Sequence, residues 1–171
     1  MMVVTFFHDP KFAAPLGDHI MPIRKFALVA DAVRECLPGI RIESPAPVSI
    51  DDLARVHTAE YIESVRTGEP RSLAESQKFP WSIELFPSVL RTNGGVLAAA
   101  QIALEDGVSA ALASGFHHAC AGHGEGFCTF NGLVIALEAL RSNGSIRSAA
   151  VLDMDLHYGC LLYTSPSPRD Q

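Results

Sequence analysis

Three features of this sequence concentrate side chains that do chemistry. Near the C-terminus, VLDMDLHYG (151–159) sets Asp153, Asp155 and His157 at alternate positions in an otherwise apolar run. In a strand the three would share one face, roughly 6.6 Å apart, with Met154 and Leu156 on the other. A buried carboxylate is costly unless paired, hydrogen-bonded or bound to metal. Two of them beside an imidazole therefore call for a cation, or for a strand that emerges into solvent at Asp153. Upstream, SGFHHACAGHGEGFC (114–128) carries the adjacent pair His117 and His118. Two imidazoles can move protons near neutral pH, and they can equally be solvated or satisfied in a core. Within that loop Cys120, His123 and Cys128, with or without His117, form a second candidate metal cluster. Its spacing fits no common zinc knuckle.

These residues need elements to position them. Met2–Phe7 is an apolar, β-branched and aromatic run that predicts a buried strand. Pro22 suits the first turn of a helix whose apolar positions Ile23, Phe26, Val29, Ala30, Val33 and Leu37 keep helical spacing, and Pro38-Gly39 ends it. Arg41–Pro45 predicts a short second strand. Ser49 with Asp52 resembles a capping box, and Thr58 can cap a helix running to Gly68. Glu69–Pro80 is a polar loop. A helix follows from Ser82, disturbed at Pro87. Ser109–Ser114 predicts a strand leading directly into the histidine loop. Asn131 can cap a helix ending near Asn143-Gly144, and Ser148–His157 predicts the last strand. Alternating strands and helices imply βαβ units and an α/β fold with a mainly parallel sheet. Ligands of such sheets collect at the carboxyl ends of the strands, where the histidine loop begins. Strands 109–114 and 148–157 are thus expected to lie parallel, with their carboxyl ends converging.

At 171 residues the chain can bury one sizeable core, and its hydrophobic content of 48% is ordinary for a globular protein. A net charge of -6 argues against nucleic acid and anionic membrane surfaces as partners. No apolar run approaches the roughly 20 residues of a membrane span. The N-terminus does not read as a signal peptide. Cys36, Cys120, Cys128 and Cys160 show no paired spacing, which points to a reducing cytoplasm.

Together, SGFHHA, GEGFC with FNG close behind, and VLDMDLHYG resemble the zinc-dependent histone deacetylase family, in its bacterial class IV-like branch. HTAEYI, KFPWS and GDHIMPIRKF add weaker likeness, and the resemblance runs from about residue 6 to residue 159. It implies an arginase/deacetylase-like fold, a three-layer αβα sandwich, and hydrolysis of acetyl-lysine or small acetylated amines. By the same match Asp155 and His157 are two zinc ligands, with Fe2+ an alternative metal. His118 is the general base and then general acid, His117 its electrostatic partner, and Asp153 the carboxylate that orients His117. Gly126 and Phe127 line the substrate tunnel. The family's third ligand, an aspartate, and its oxyanion tyrosine lie in segments beyond position 159; neither Asp170 nor Tyr163 has the matching context. Cys160 stands where relatives carry Asn or Asp, and Asn131-Gly132 replaces Asn-Asp. The expected organisation is therefore the N-terminal part of a deacetylase domain over 1–159, lacking full competence, followed by an unrelated tail, 160–171.

Overall fold

A computed structural model describes residues 3–17, 19–22 and 24–161. Three short strands, β1 (Thr5–Phe7), β2 (Arg41–Glu43) and β3 (Ser109–Ala111), form a parallel sheet in the order β2-β1-β3. Thr5 pairs with Arg41 on one side and with Ser109 on the other, so β1 is central. Its Thr5 and Phe7 are buried, as a central strand covered by helices requires. The α/β class with a parallel sheet is as the sequence predicts.

Among the described residues six α-helices accompany the sheet: α1 (Lys25–Cys36), α2 (Ile50–Ala54), α3 (Ala59–Thr67), α4 (Arg71–Ala74), α5 (Leu85–Asp106) and α6 (Gly132–Ser142). The predicted caps form. Ser49 accepts from the Asp52 N–H, Thr58 from the Tyr61 N–H and Asn131 from the Val134 N–H, each occupying an otherwise orphaned donor of a first turn. Pro87 leaves α5 intact because it lies in the first turn, where the missing N–H has no intrahelical partner. The polar stretch before α5 holds one short helix, α4, that its composition did not suggest.

The main core lies among α2, α3, α5 and α6, centred on Leu53, Tyr61, Val65, Leu85, Phe130 and Ile135. Phe130 is fully buried and meets Tyr61 edge-on at a centroid distance of 5.5 Å. Burying such a ring contributes about 1.5–3 kcal/mol. Gly94 in α5 lets the segment before α2 cross closely: a Cβ there would lie 2.9 Å from the Val48 nitrogen, which donates to Leu90 O.

Two expectations need correction. Residues 148–157 are not a strand. The segment is irregular and exposed, with Leu152, Met154 and Leu156 each 87–96% accessible. Among the described residues β3 pairs with β1 alone, so no neighbouring strand supplies ladder partners for this stretch. Its aspartates compete for the backbone instead: Asp153 Oδ1 accepts from the Asp155 N–H at 3.0 Å, and Asp155 Oδ1 from the His157 N–H at 2.8 Å. The cysteines also depart from the unpaired state that the sequence suggested. Cys120 and Cys160 form a disulfide with Cα atoms 5.5 Å apart, and the Cys160 N–H donates to His117 O. This ties the first residue of the expected tail to the histidine loop; residues 162–171 lie outside the described residues. No described helix is long and apolar enough to cross a membrane.

Candidate active site

The histidine loop is held from behind by a motif at the start of α3. His57 is buried, its Nδ1–H donating to Cys120 O at 2.9 Å and its Nε2 accepting from the Asn131 N–H at 3.0 Å. One ring thereby clamps both ends of residues 120–131, and it does so only when neutral. Burial pushes its pKa down to about 4. Next to it the Thr58 N–H donates to Ala121 O, and the Tyr61 hydroxyl to Thr129 O. Asn131 adds two bonds from Nδ2, to His117 O and Ala119 O. HTAEYI is thus the scaffold of the loop, a role its likeness to relatives did not reveal.

On this scaffold His117 and His118 stand side by side, ring centroids 4.1 Å apart. His117 is buried, and its Nδ1 meets Asp153 Oδ2 at 2.7 Å. That bond, first among the causes, holds the Asp153 carboxyl below its ordinary value. His118 Nδ1 meets the Tyr158 carbonyl at 2.7 Å. A carbonyl only accepts, so His118 carries its proton on Nδ1 and keeps Nε2 as a base. An ionised Asp153 imposes the same tautomer on His117.

Asp155 approaches from the opposite side, its Oδ1 3.7 Å from His117 Nε2 and 2.8 Å from His157 Nδ1. Bonds from the His157 backbone and then its ring keep the Asp155 carboxyl low. His117, His118 and Asp155 offer ligand atoms that all lie within 4.8 Å of one another. His157 stands beside this group, bound to Asp155 and 5.6 Å from the His118 ring. Carboxylate oxygen and imidazole nitrogen suit a divalent cation, and the adjoining Asp155 Oδ1 and His157 Nδ1 supply one of each.

All four residues line a cavity of about 380 Å³, together with Gly126 and Phe127. Gly126 has φ +52° and lies against the His118 ring, leaving no room for a Cβ. Phe116 and Phe127, at φ 60° and 65°, occupy the left-handed region that phenylalanine seldom adopts. Such strain clusters at functional sites. The walls also include Phe12, Met21, Phe26 and Phe79, which no motif marked as site residues. Phe79 and Phe127 share an edge with His19, ring to ring at 4.9 Å and 5.4 Å. Phe79 sits in KFPWS, and His19 and Met21 sit in GDHIMPIRKF; the likeness of these stretches to relatives was their one signal.

Residues 19–160 match the histone deacetylase domain. The chain belongs to the histone deacetylase family. It is 34% identical over 122 residues to a probable deacetylase of Methanothermobacter thermautotrophicus, covering 70% of this chain and 37% of that one. It is 30% identical over 156 residues to an uncharacterized protein of Picosynechococcus, covering 89% and 52%. The crystal structure of the HDA15 HD domain superposes with a TM-score of 0.69 at 18% identity, over 82% of this chain and 45% of that chain, which establishes the shared deacetylase fold. The chain spans about half, or less, of the length of these relatives.

Proposed function

We propose that the site belongs to a metal-dependent hydrolase of acetylated amines, with acetyl-lysine or a small acetylated amine as substrate. The observation that carries this reading is the tandem histidine pair, with both Nδ1 atoms engaged and an aspartate facing it across the pocket. In this reading His118 Nε2 takes a proton from water and returns it to the leaving amine nitrogen. His117, with the Asp153 carboxylate behind it, stabilises the charge that develops beside it. The Gly126 backbone and the Phe127 ring flank the alkyl chain that carries the acyl group. Asp155 and His157 would hold zinc, or ferrous iron, which when bound would polarise the amide carbonyl as a Lewis acid.

By this reading residues 1–159 are the N-terminal part of the catalytic domain of a cytoplasmic enzyme. The resemblance assigns a third carboxylate ligand and an oxyanion tyrosine to segments beyond position 159. The 171-residue chain on its own is then a weak metal binder with little turnover. Zinc titration by calorimetry tests the ligand assignment. Asp155→Asn and His157→Ala should each weaken binding at least tenfold, while His118→Ala should alter it far less. Equal affinity in all four proteins would refute the assignment. Binding of an acetylated amine without turnover, in a chain continued to the length of its relatives, would favour a ligand-binding module instead.

A further inference from the structure

Outside the pocket the histidine loop carries a second set of donor atoms. Cys120 Sγ, His123 and Glu125 offer ligand atoms that all lie within 4.8 Å of one another, and Cys120 Sγ is 4.0 Å from Glu125 Oε2. The backbone fixes this arrangement. The Cys120 N–H donates to His123 O at 3.0 Å, closing a tight turn, and Glu125 and Cys128 exchange backbone bonds in an antiparallel bridge. Cys120 is buried, whereas His123 and Glu125 are exposed. Cys128, a candidate ligand with Cys120 and His123 in the sequence, turns its sulfur to Gly126 O instead, and burial pushes its thiol up to about 11. Glu125 takes its place.

We propose that Cys120, His123 and Glu125 form a second site for a thiophilic divalent cation, gated by the Cys120–Cys160 disulfide. One thiolate, one imidazole and one carboxylate are zinc donors, with solvent for the fourth position. Zinc bonds of about 2.0–2.3 Å set tetrahedral ligand atoms about 3.5 Å apart, so a shift of about an ångström by the two exposed side chains closes the set. The disulfide and the cation compete for one sulfur. A dithiol reductant supplies two electrons and two protons, breaks the Sγ–Sγ bond and is oxidised to its own disulfide. The cation then binds Cys120 Sγ as its thiol proton leaves to solvent. Cys120 follows His118 by two residues, and its Sγ lies 3.5 Å from His118 O, so an occupied site would brace the catalytic loop from outside.

Cobalt(II) distinguishes this site from the pocket. Sulfur ligation gives a thiolate-to-cobalt charge-transfer band, and none of His117, His118, Asp155 and His157 carries sulfur. The full 171-residue chain, reduced with a dithiol, should develop the band on addition of Co2+, and Zn2+ should displace it. Cys120→Ser should abolish it, His123→Ala and Glu125→Gln should weaken cobalt affinity at least tenfold, and Cys36→Ser and Cys128→Ser should retain it. Oxidation should remove the band from the parent chain and leave it in Cys160→Ser. No band in the reduced parent chain, or a band that survives Cys120→Ser, would overturn the proposal. So would a band in Cys160→Ser that oxidation removes as it does in the parent.

Discussion

The hydrogen bond from His117 to Asp153 fixes a tautomer, and that makes it testable in isolation. Asp153 can only accept while ionised, so His117 must carry its proton on Nδ1. Asp153→Asn offers an amide that can donate to an unprotonated Nδ1, and His117 should then shift toward the Nε2–H form. Nitrogen-15 NMR of the imidazoles near neutral pH reads this directly; an unchanged His117 tautomer would remove Asp153 from its orienting role. Gly126 gives a second test at this scale. Alanine there must hold φ near +52° and intrude on the His118 ring. Gly126→Ala should lower stability by about 1–3 kcal/mol and displace the His118 resonances. A stable variant with unmoved His118 signals would show that the glycine is dispensable. Residue types and spacing made these groups legible, since HHA and DxDxH announce unusual polar clusters in apolar surroundings. What they could not give was the means by which the acidic segment reaches the histidines, because side-chain-to-backbone bonds replaced the expected strand.

Among the elements, the start of α3 holds the histidine loop through a neutral histidine. A histidine whose pKa falls on folding stabilises the native state fully above its unfolded value. That contribution is lost as pH falls. For His57 the window runs from about 6.5 down to about 4, and the loss approaches about 3 kcal/mol below it. Urea unfolding followed from pH 7.5 to 4 should show this decline in the parent chain and a flatter profile in His57→Ala. That variant should also be less stable at pH 7.5 by about 2–4 kcal/mol, since Cys120 O and the Asn131 N–H lose their buried partner. Parallel pH profiles for the two proteins would place the titration elsewhere. Helices were the more legible elements, since Ser49, Thr58 and Asn131 are caps whose hydrogen bonds are local. Strands were less so. The apolar run 149–152 has strand composition, but a strand needs a neighbour, and pairing is a non-local property that composition cannot supply.

Across the whole molecule, the exposed apolar side chains of residues 151–158 form a surface that water covers poorly. Leu152, Met154 and Leu156 are nearly fully accessible, with Val151 and Tyr158 beside them. The 171-residue chain should bind a hydrophobic dye and self-associate. Leu152→Ser with Leu156→Ser should reduce both without lowering Tm, because neither side chain contributes to the core. A fall in Tm of several degrees would show that these residues pack.

The central claim is that His117, His118, Asp153, Asp155 and His157 constitute a hydrolytic site for acetylated amines. Its most direct test is acetate release from an acetyl-lysine peptide and an acetylated small amine, with added zinc. It uses a chain continued to the length of its relatives, with the 171-residue chain assayed beside it. The longer chain should release acetate from at least one substrate, the shorter should release little, and His118→Ala in the longer chain should lower the rate by about 10²–10⁴-fold. Undiminished acetate release by the His118→Ala chain would contradict the account.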